Sequence, residues 1–280
     1  MAERKRRGGG RSARQAERQK PKSQTVPYIK RNIPVYNLLN EEGLSLIENN
    51  ADTILQEIGI DFRGDPEALE ILKDAGADVK EERVRFPKGM CQSLIRDTAP
   101  KEFIQHARNP DRNVVIGGEN LVLVPAYGSP FIRNVEEGRR YATIEDFRNF
   151  VKLAYLSPEL HHSGGTICEP VDLPVNKRHF DMVYTHMRYS DKPFMGSVTA
   201  PERAEDTVEM AKILFGADFI DNNTVITSLI NANSPMVWDS TMLGAMKAYS
   251  RNNQAVVVSP FCISGAMSPV TVAATSSQLY

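Results

Sequence analysis

The chain has 280 residues, of which 41% are hydrophobic and 25% are charged, and its formal net charge is -1. This composition excludes a wholly disordered chain, and the length allows at least one sizeable core. The sequence has no run of roughly 18 apolar residues, which excludes a membrane-spanning helix, and its three distant cysteines exclude a disulfide framework. We expect a cytoplasmic protein.

Residues 1–31 are strongly basic, whereas the rest of the chain has an excess of acidic residues. They contain 11 Lys and Arg but only two acidic residues, together with a run of three glycines at 8–10. Such a segment cannot bury enough apolar surface to order itself, so we predict a disordered basic tail. We favour a solvated tail over one that binds nucleic acid.

Residues 32–115 predict a small α-rich region. Apolar residues recur there at helical spacing in three stretches, which predicts helices at 34–58, 66–75 and 88–98. Gly59 ends the first helix, and Asp65 followed by Pro66 is typical of a helix start. A short extended piece is predicted at 84–86. We expect this region to pack against the units that follow.

From residue 116 the chain predicts a series of alternating strands and helices. Five apolar, β-rich runs are the predicted strands, at 121–124, 160–167, 193–198, 224–230 and 255–259. Amphipathic stretches between them predict helices at 144–156, 177–189, 201–214 and 238–249. This alternation is typical of a (β/α)8 TIM barrel. We therefore expect residues 116–280 to be the N-terminal part of such a barrel, with about five of its eight units.

The informative side chains of a TIM barrel lie just after each strand, because the loops that carry chemistry converge at the carboxyl ends. Here these loops contain hydroxyls, amides and aromatic rings but few charges, which disfavours phosphate substrates and glycosidase acid-base pairs. Tyr127, Phe131 and Phe261 offer ring faces to a quaternary ammonium, with ordinary packing at the barrel mouth as the alternative. Asn231 and Ser234 supply an amide and a hydroxyl in the fourth loop.

His161 and His162 lie in the second predicted strand, where alternation sends one side chain inward. We assign His162 to the substrate site, since imidazole titrates near neutrality, and keep a hydrogen-bonded core histidine as the alternative. His179 and His186 are two helical turns apart, too far to share one metal ion, so no metal site is predicted. Cys262 has no identifiable partner, and a structural cysteine is favoured over a nucleophile.

Several short motifs occur together in this chain. They lie at residues 34–36, 55–60, 231–235, 238–242 and 259–271, of which the last reads SPFCISGAMSPVT. In combination they resemble the N-terminal portion of the trimethylamine methyltransferase family, over residues 27–274. The resemblance implies a TIM barrel that takes a methyl group from a methylated or quaternary amine and passes it to the cobalt of a partner corrinoid protein. The cobalamin would then belong to the partner, with no cofactor bound directly by this chain.

The resemblance leaves open which methylated amine is the substrate. Some family members carry pyrrolysine, later in the barrel than this chain reaches, so trimethylamine and glycine betaine both remain open on that ground. A quaternary ammonium departs as a neutral amine and needs alignment rather than a general acid. The nearly uncharged loops therefore favour a betaine-type substrate, with Arg133 as a partner for its carboxylate.

Two other interpretations remain open. The chain could be a truncated, non-catalytic product that acts at most as a binding module, because a partial barrel leaves sheet edges unpaired and open to homo-oligomerisation. It could also be a different corrinoid-linked TIM-barrel methyltransferase with a folate or thiol acceptor, since a fold does not determine chemistry.

Overall fold

The computed structural model describes residues 29–280 of a mixed α/β protein. The predicted basic tail lies outside these residues, apart from its last three. The helices, in chain order, are α1 Glu41–Glu57, α2 Pro66–Asp74, α3 Met90–Thr98, α4 Ile144–Leu156, α5 Arg178–Tyr189, α6 Pro201–Phe215, α7 Ala217–Asn222, α8 Ser240–Arg251 and α9 Val272–Leu279. The strands are β1 Ile29–Lys30, β2 Ile60–Arg63, β3 Asp78–Lys80, β4 Arg83–Arg85, β5 Glu102–Gln105, β6 Val114–Gly117, β7 Asn120–Leu121, β8 Phe131–Asn134, β9 Gly138–Tyr141, β10 Phe194–Met195, β11 Ile226–Ala232, β12 Val237–Asp239 and β13 Ala255–Pro260.

Local capping explains why several helices begin where the sequence predicts. Asp65 accepts a hydrogen bond from the Ala68 N–H at 3.0 Å, and Pro66 occupies the first turn of α2. Thr143 and Asp146 form a reciprocal capping box at the start of α4. The predicted helices at 66–75, 144–156, 177–189 and 201–214 are confirmed to within about one residue at either end.

A parallel sheet in the order β10, β11, β13 confirms three of the five predicted barrel strands. Helices α6 and α8 lie in the two connections between these strands. Ile226 and Ile230 of β11 are fully buried in one hydrophobic cluster with residues of α5, α6 and α8. Since side chains alternate along a strand, Thr227, Leu229 and Asn231 belong to the opposite face of the sheet.

The first two predicted barrel strands, at 121–124 and 160–167, are wrong. Of residues 121–124, only Leu121 belongs to a strand, and β7 pairs antiparallel with β1. Residues 160–167 contain no regular strand, although the Ser163 N–H donates to the Pro193 carbonyl at 2.8 Å. The physical reason is that histidine side chains take the place of backbone carbonyls: the Gly164 N–H donates to Nδ1 of His162 at 2.8 Å. The parallel sheet therefore has three strands within the described residues, and a barrel is not confirmed.

The N-terminal region contains β2 and β3, which the sequence did not predict, and β4, which confirms the extended piece predicted at 84–86. It carries α1, α2 and α3, but β2, β3 and β4 also join a four-stranded sheet in the order β12, β2, β4, β3. The pairing of β2 with β12 is parallel and places Phe62 beside Trp238. Trp238 is thus a strand residue, and α8 begins at Ser240 rather than at the predicted residue 238. The region is joined to the later part of the chain through this shared sheet.

The hairpin of β5 and β6 covers the amino ends of the parallel strands. The Gln105 side-chain amide donates to the carbonyls of Phe194 and Val225, at 2.9 and 3.0 Å. The His106 N–H donates to the Thr224 carbonyl at 2.8 Å. The hairpin therefore closes the amino ends of β10 and β11. Among the helices of residues 29–280, none is both long and apolar enough to cross a membrane.

We expect Asp146→Asn to lower the free energy of unfolding at neutral pH by about 1–2 kcal/mol. Arg140 holds both carboxylate oxygens, at 2.6 and 2.9 Å, and these hydrogen bonds lower the pKa of Asp146 from 3.8 to about 2. The folded pKa lies below the unfolded one, so this stabilisation is present above about pH 4 and is lost as the pH falls towards 2. Urea unfolding at several pH values measures it.

The matched control for this prediction is Glu145→Gln, on the same turn of α4. The Glu145 side chain is 61% exposed and its two ion pairs are long, so we expect little change in stability. If the Asp146→Asn difference were the same at pH 7 and near pH 2, the Arg140 pairing would not be its source.

Candidate functional site

The candidate site lies at the carboxyl ends of the parallel strands, on the sheet face away from the buried Ile226 and Ile230. The register pairs Met195 with Thr227 and Asn231 with Ser259, so these side chains belong to the same face. The loop after β7 brings Tyr127 to this place. We call Tyr127, Met195, Asn231 and Ser259 the rim.

Tyr127 is positioned by the bare backbone of Gly165. The Gly128 N–H donates to the Thr166 carbonyl at 2.7 Å, which ties the Tyr127 loop to this segment. A Cβ atom on Gly165 would lie 2.8 Å from Cε2 of Tyr127 and 2.8 Å from Cβ of Met195. The phenol ring and the Met195 side chain therefore meet over a position where only glycine fits. Tyr127 is 39% exposed, so part of its ring is available to a ligand.

His186 holds Gly165 in place, and sequence reasoning did not identify this role. Nε2 of His186 donates to the Gly165 carbonyl at 2.8 Å, and the Ser163 hydroxyl is 2.7 Å from Nδ1. Burial lowers the pKa of His186 to about 4, so the ring is neutral and can accept from Ser163. His186 lies more than 20 residues after Ser163 and Gly165, and no spacing signal links it to them.

His162 is buried, and both of its ring nitrogens contact other groups of the protein. Nδ1 accepts from the Gly164 N–H, and Nε2 lies 3.2 Å from Oε1 of Gln105. The residue is 2% exposed, and burial, followed by the proximity of His186, lowers its pKa to about 3. Both ring nitrogens are thus used within the protein, which corresponds to the alternative of a hydrogen-bonded core histidine.

Phe131 and Arg133 lie on the hairpin of β8 and β9. The Arg139 guanidinium stacks 3.9 Å from the Phe131 ring centroid, and the Tyr141 ring lies 4.6 Å from it. The Arg139 guanidinium thus lies against the Phe131 ring, which was predicted to contact the ammonium of a substrate. Arg133 is exposed and pairs in register with Arg139. Among the ring contacts of residues 29–280, none joins Phe131 to Tyr127 or Phe261.

Ser234 lines a separate cavity of about 190 Å³ between α1, α9 and the turn that links β11 to β12. Its hydroxyl lies 3.7 Å from Sγ of Cys262, which lines the same cavity. Phe261 is 49% exposed and its N–H donates to the Ala232 carbonyl at 3.1 Å. Trp238 packs against two hydrophobic clusters. The structure therefore separates Ser234 from the rim that contains Asn231.

The chemistry available at the rim follows from its side chains. A phenol ring, a thioether, an amide and a hydroxyl are present, and no rim residue is charged. Such a surface can contact a methylated cation through the ring face and can donate hydrogen bonds to a polar group beside it. In the part of the chain that the structure describes, no group of three or more His, Cys, Asp or Glu side chains is placed to hold a metal ion.

Comparison with known proteins points to one family. A family model described as trimethylamine methyltransferase (MTTB) matches residues 7–280. The chain is also 45% identical over 246 residues to a glycine betaine methyltransferase of Desulfitobacterium hafniense (strain Y51), an alignment that covers 88% of this chain and 51% of that protein. The chain therefore spans about half the length of the curated relative that it matches.

Proposed function

Because the chain belongs to the trimethylamine methyltransferase family, we propose that it contributes to a methyltransferase that takes a methyl group from a methylated or quaternary amine. The family predicted from the motifs at 231–235 and 259–271 is the one found. The methyl acceptor in this proposal is the reduced cobalt of a partner corrinoid protein, which acts as a second substrate.

The proposed architecture is a (β/α)8 barrel. Three parallel strands with helices α6 and α8 between them support it. The segments at 121–124 and 160–167 also support it by their position. The His161 N–H donates to the Leu123 carbonyl at 3.0 Å, which joins these two segments, and the Met195 N–H donates to the Gly164 carbonyl at 2.9 Å, which joins the second of them to β10. Five segments thus follow one another side by side, in the order expected of consecutive barrel strands.

The proposed substrate is glycine betaine or a similar quaternary amine. The observation that carries this preference is the partly exposed ring of Tyr127 at an uncharged rim. An aromatic face attracts a quaternary ammonium, which has no N–H to donate and needs no carboxylate partner. The name of the 45% identical relative supports the same choice.

In the proposed reaction the C–N bond breaks and its electron pair stays on nitrogen, while the methyl carbon bonds to the reduced cobalt. No proton moves, so the neutral His162 and His186 fit a site without a general acid. Tyr127 would hold the ammonium, and Asn231 with Ser259 would hold the polar end of the substrate. Catalysis then comes from alignment of the methyl group with the acceptor.

The test is methylcobalamin formation from reduced cobalamin with glycine betaine or trimethylamine as the donor. The Desulfitobacterium hafniense glycine betaine methyltransferase serves as the reference enzyme under the same conditions. Formation with glycine betaine supports the proposal, and formation with trimethylamine alone overturns the substrate preference. If only the reference enzyme were active, the proposal that this chain catalyses the reaction would fail. Titration calorimetry with glycine betaine would then test the binding-module alternative.

A further inference from the structure

The segment that follows β10 is held in place partly by side chains of two helices. β10 ends just before Gly196, so the next backbone groups need partners outside its strand pairing. The Gly196 N–H donates to the Thr227 carbonyl at 3.0 Å. The Ser197 N–H donates to the Thr207 hydroxyl of α6 at 3.4 Å, and the Ser197 carbonyl accepts from the Tyr249 hydroxyl of α8 at 2.6 Å. Tyr249 thus makes the shortest of these three contacts.

Tyr249 occupies the space that a side chain at residue 196 would need. A Cβ atom on Gly196 would lie 2.2 Å from the Tyr249 hydroxyl oxygen and 2.7 Å from its Cζ. Gly196 does not adopt a left-handed φ, so glycine is required here for the close approach of the phenol. Tyr249 is fully buried in the same hydrophobic cluster as Ile226 and Ile230. Close packing on all sides therefore fixes the position of its hydroxyl.

The Tyr249 hydroxyl keeps its proton at neutral pH. Burial raises the pKa of this hydroxyl, and the phenol of Tyr127 raises it further, against a smaller opposing effect of the Thr207 hydroxyl. A protonated phenol donates its O–H, and the Ser197 carbonyl is the acceptor. The effect of Tyr127 also shows that the two phenols lie near each other.

The segment that Tyr249 holds leads directly to the rim. Met195 immediately precedes Gly196, and its Cβ lies 2.8 Å from the place of a Cβ atom on Gly165. The Tyr127 ring lies at the same distance from that place. A displacement of the backbone at Gly196 is therefore passed to Met195, and from Met195 to its contact with the Tyr127 ring.

We propose that Tyr249 is a positioning residue of the rim, whose hydroxyl fixes the backbone at 196–197 and so holds Met195 in place beside Gly165 and Tyr127. The role rests on the proposed function, in which the rate comes from alignment of the methyl group with its acceptor. Tyr249 is buried, so it acts through Met195 and does not itself contact the substrate.

Methyl transfer from glycine betaine to reduced cobalamin tests this role in Tyr249→Phe, which removes only the hydroxyl. We expect kcat to fall about 10-fold and KM for glycine betaine to change less than about 3-fold, because the rim groups remain but are less well aligned. The matched control is Ser228→Ala, which removes another buried hydroxyl-to-carbonyl bond of the same sheet, on the face away from the rim. Its kcat should equal that of the wild type. An unchanged kcat in Tyr249→Phe, or equal losses in both variants, would overturn the proposal.

Spectra of the protein labelled at its methionine methyl groups separate this role from the proposed function, since they need no substrate. The Met195 resonance should shift in Tyr249→Phe and stay in place in Ser228→Ala. If the wild type transferred no methyl group, the proposed function would fail, whereas the Met195 resonance would still decide the role of Tyr249. An unmoved resonance in Tyr249→Phe would contradict it.

A measurement on the wild type serves if Tyr249→Phe does not fold. The hydroxyl proton of Tyr249 should exchange with solvent far more slowly than that of Tyr36, which is 84% exposed. Isotope shifts of the tyrosine Cζ resonances in mixed light and heavy water measure this exchange. Equally fast exchange at both residues would show that the Tyr249 hydroxyl does not hold the Ser197 carbonyl.

Discussion

Gln254→Leu is expected to lower the free energy of unfolding by about 3–5 kcal/mol, because it leaves several buried backbone groups without partners. Oε1 of Gln254 accepts from the N–H groups of Val225 and Ile226, both at 2.9 Å and both in fully buried residues. Nε2 donates to the carbonyls of three further residues, Ile220, Asn223 and Asn252. One side chain thus supplies the hydrogen bonds of the turn that leads into β11.

Urea unfolding followed by circular dichroism measures this effect. Gln56→Leu is the matched control, since the same substitution on the exposed side of α1 should change stability by less than about 0.5 kcal/mol. If the buried variant were too unstable to purify, amide hydrogen exchange of the wild-type protein provides a second measurement, in which the N–H groups of Val225 and Ile226 should be strongly protected. Equal losses at positions 254 and 56 would show that the network contributes nothing.

Gly165→Ala is expected to weaken glycine betaine binding by about 5–30-fold, the equivalent of about 1–2 kcal/mol of cation–π interaction. The added Cβ would lie 2.8 Å from Cε2 of Tyr127, so the ring has to move. Gly165 does not adopt a left-handed φ, so the alanine methyl group would act by steric contact with its neighbours and not by backbone strain. Titration calorimetry with glycine betaine and with tetramethylammonium measures the loss.

A double-mutant cycle separates this positioning role from general damage. If Gly165 acts by placing Tyr127, then Gly165→Ala should cost little once Tyr127→Ala is present. Tyr127→Phe keeps the ring face and should bind nearly as well as the wild type. Gly43→Ala, in the exposed first turn of α1, is the control glycine and should leave binding unchanged. Additive losses at Gly165 and Tyr127 would contradict the assigned geometry.

The helices were largely predictable because their signals are local. Asp65 and Pro66 mark the start of α2, and Thr143 marks that of α4; the side chains of Asp65 and Thr143 cap these helices. The strands β10, β11 and β13 were also predictable, since they are apolar runs between such helices. The short strands β2 and β3 were not, because three or four residues give too little alternation to distinguish a strand from a loop. β4 corresponds to the extended piece predicted at 84–86.

The site was predictable only in part, because long-range contacts assemble it. Tyr127 and Asn231 could be proposed from their positions after apolar runs. The support of Tyr127 by Gly165, and of Gly165 by His186, depends on contacts between separate segments. The use of His162 inside the core depends on Gln105, which belongs to a different region of the chain. A single sequence carries no signal for such pairs.

The parallel pairing of β2 with β12 has a consequence for synthesis on the ribosome. β2 lies near the start of the described residues, and its partner strand ends at Asp239. The cluster around Phe62 likewise needs Leu243 and Trp238 to be complete. The early region therefore emerges with an incomplete sheet and an uncovered apolar surface. Its four-stranded sheet can be completed only after β12 has been synthesised, and until then the uncovered edge of β2 favours association with other chains.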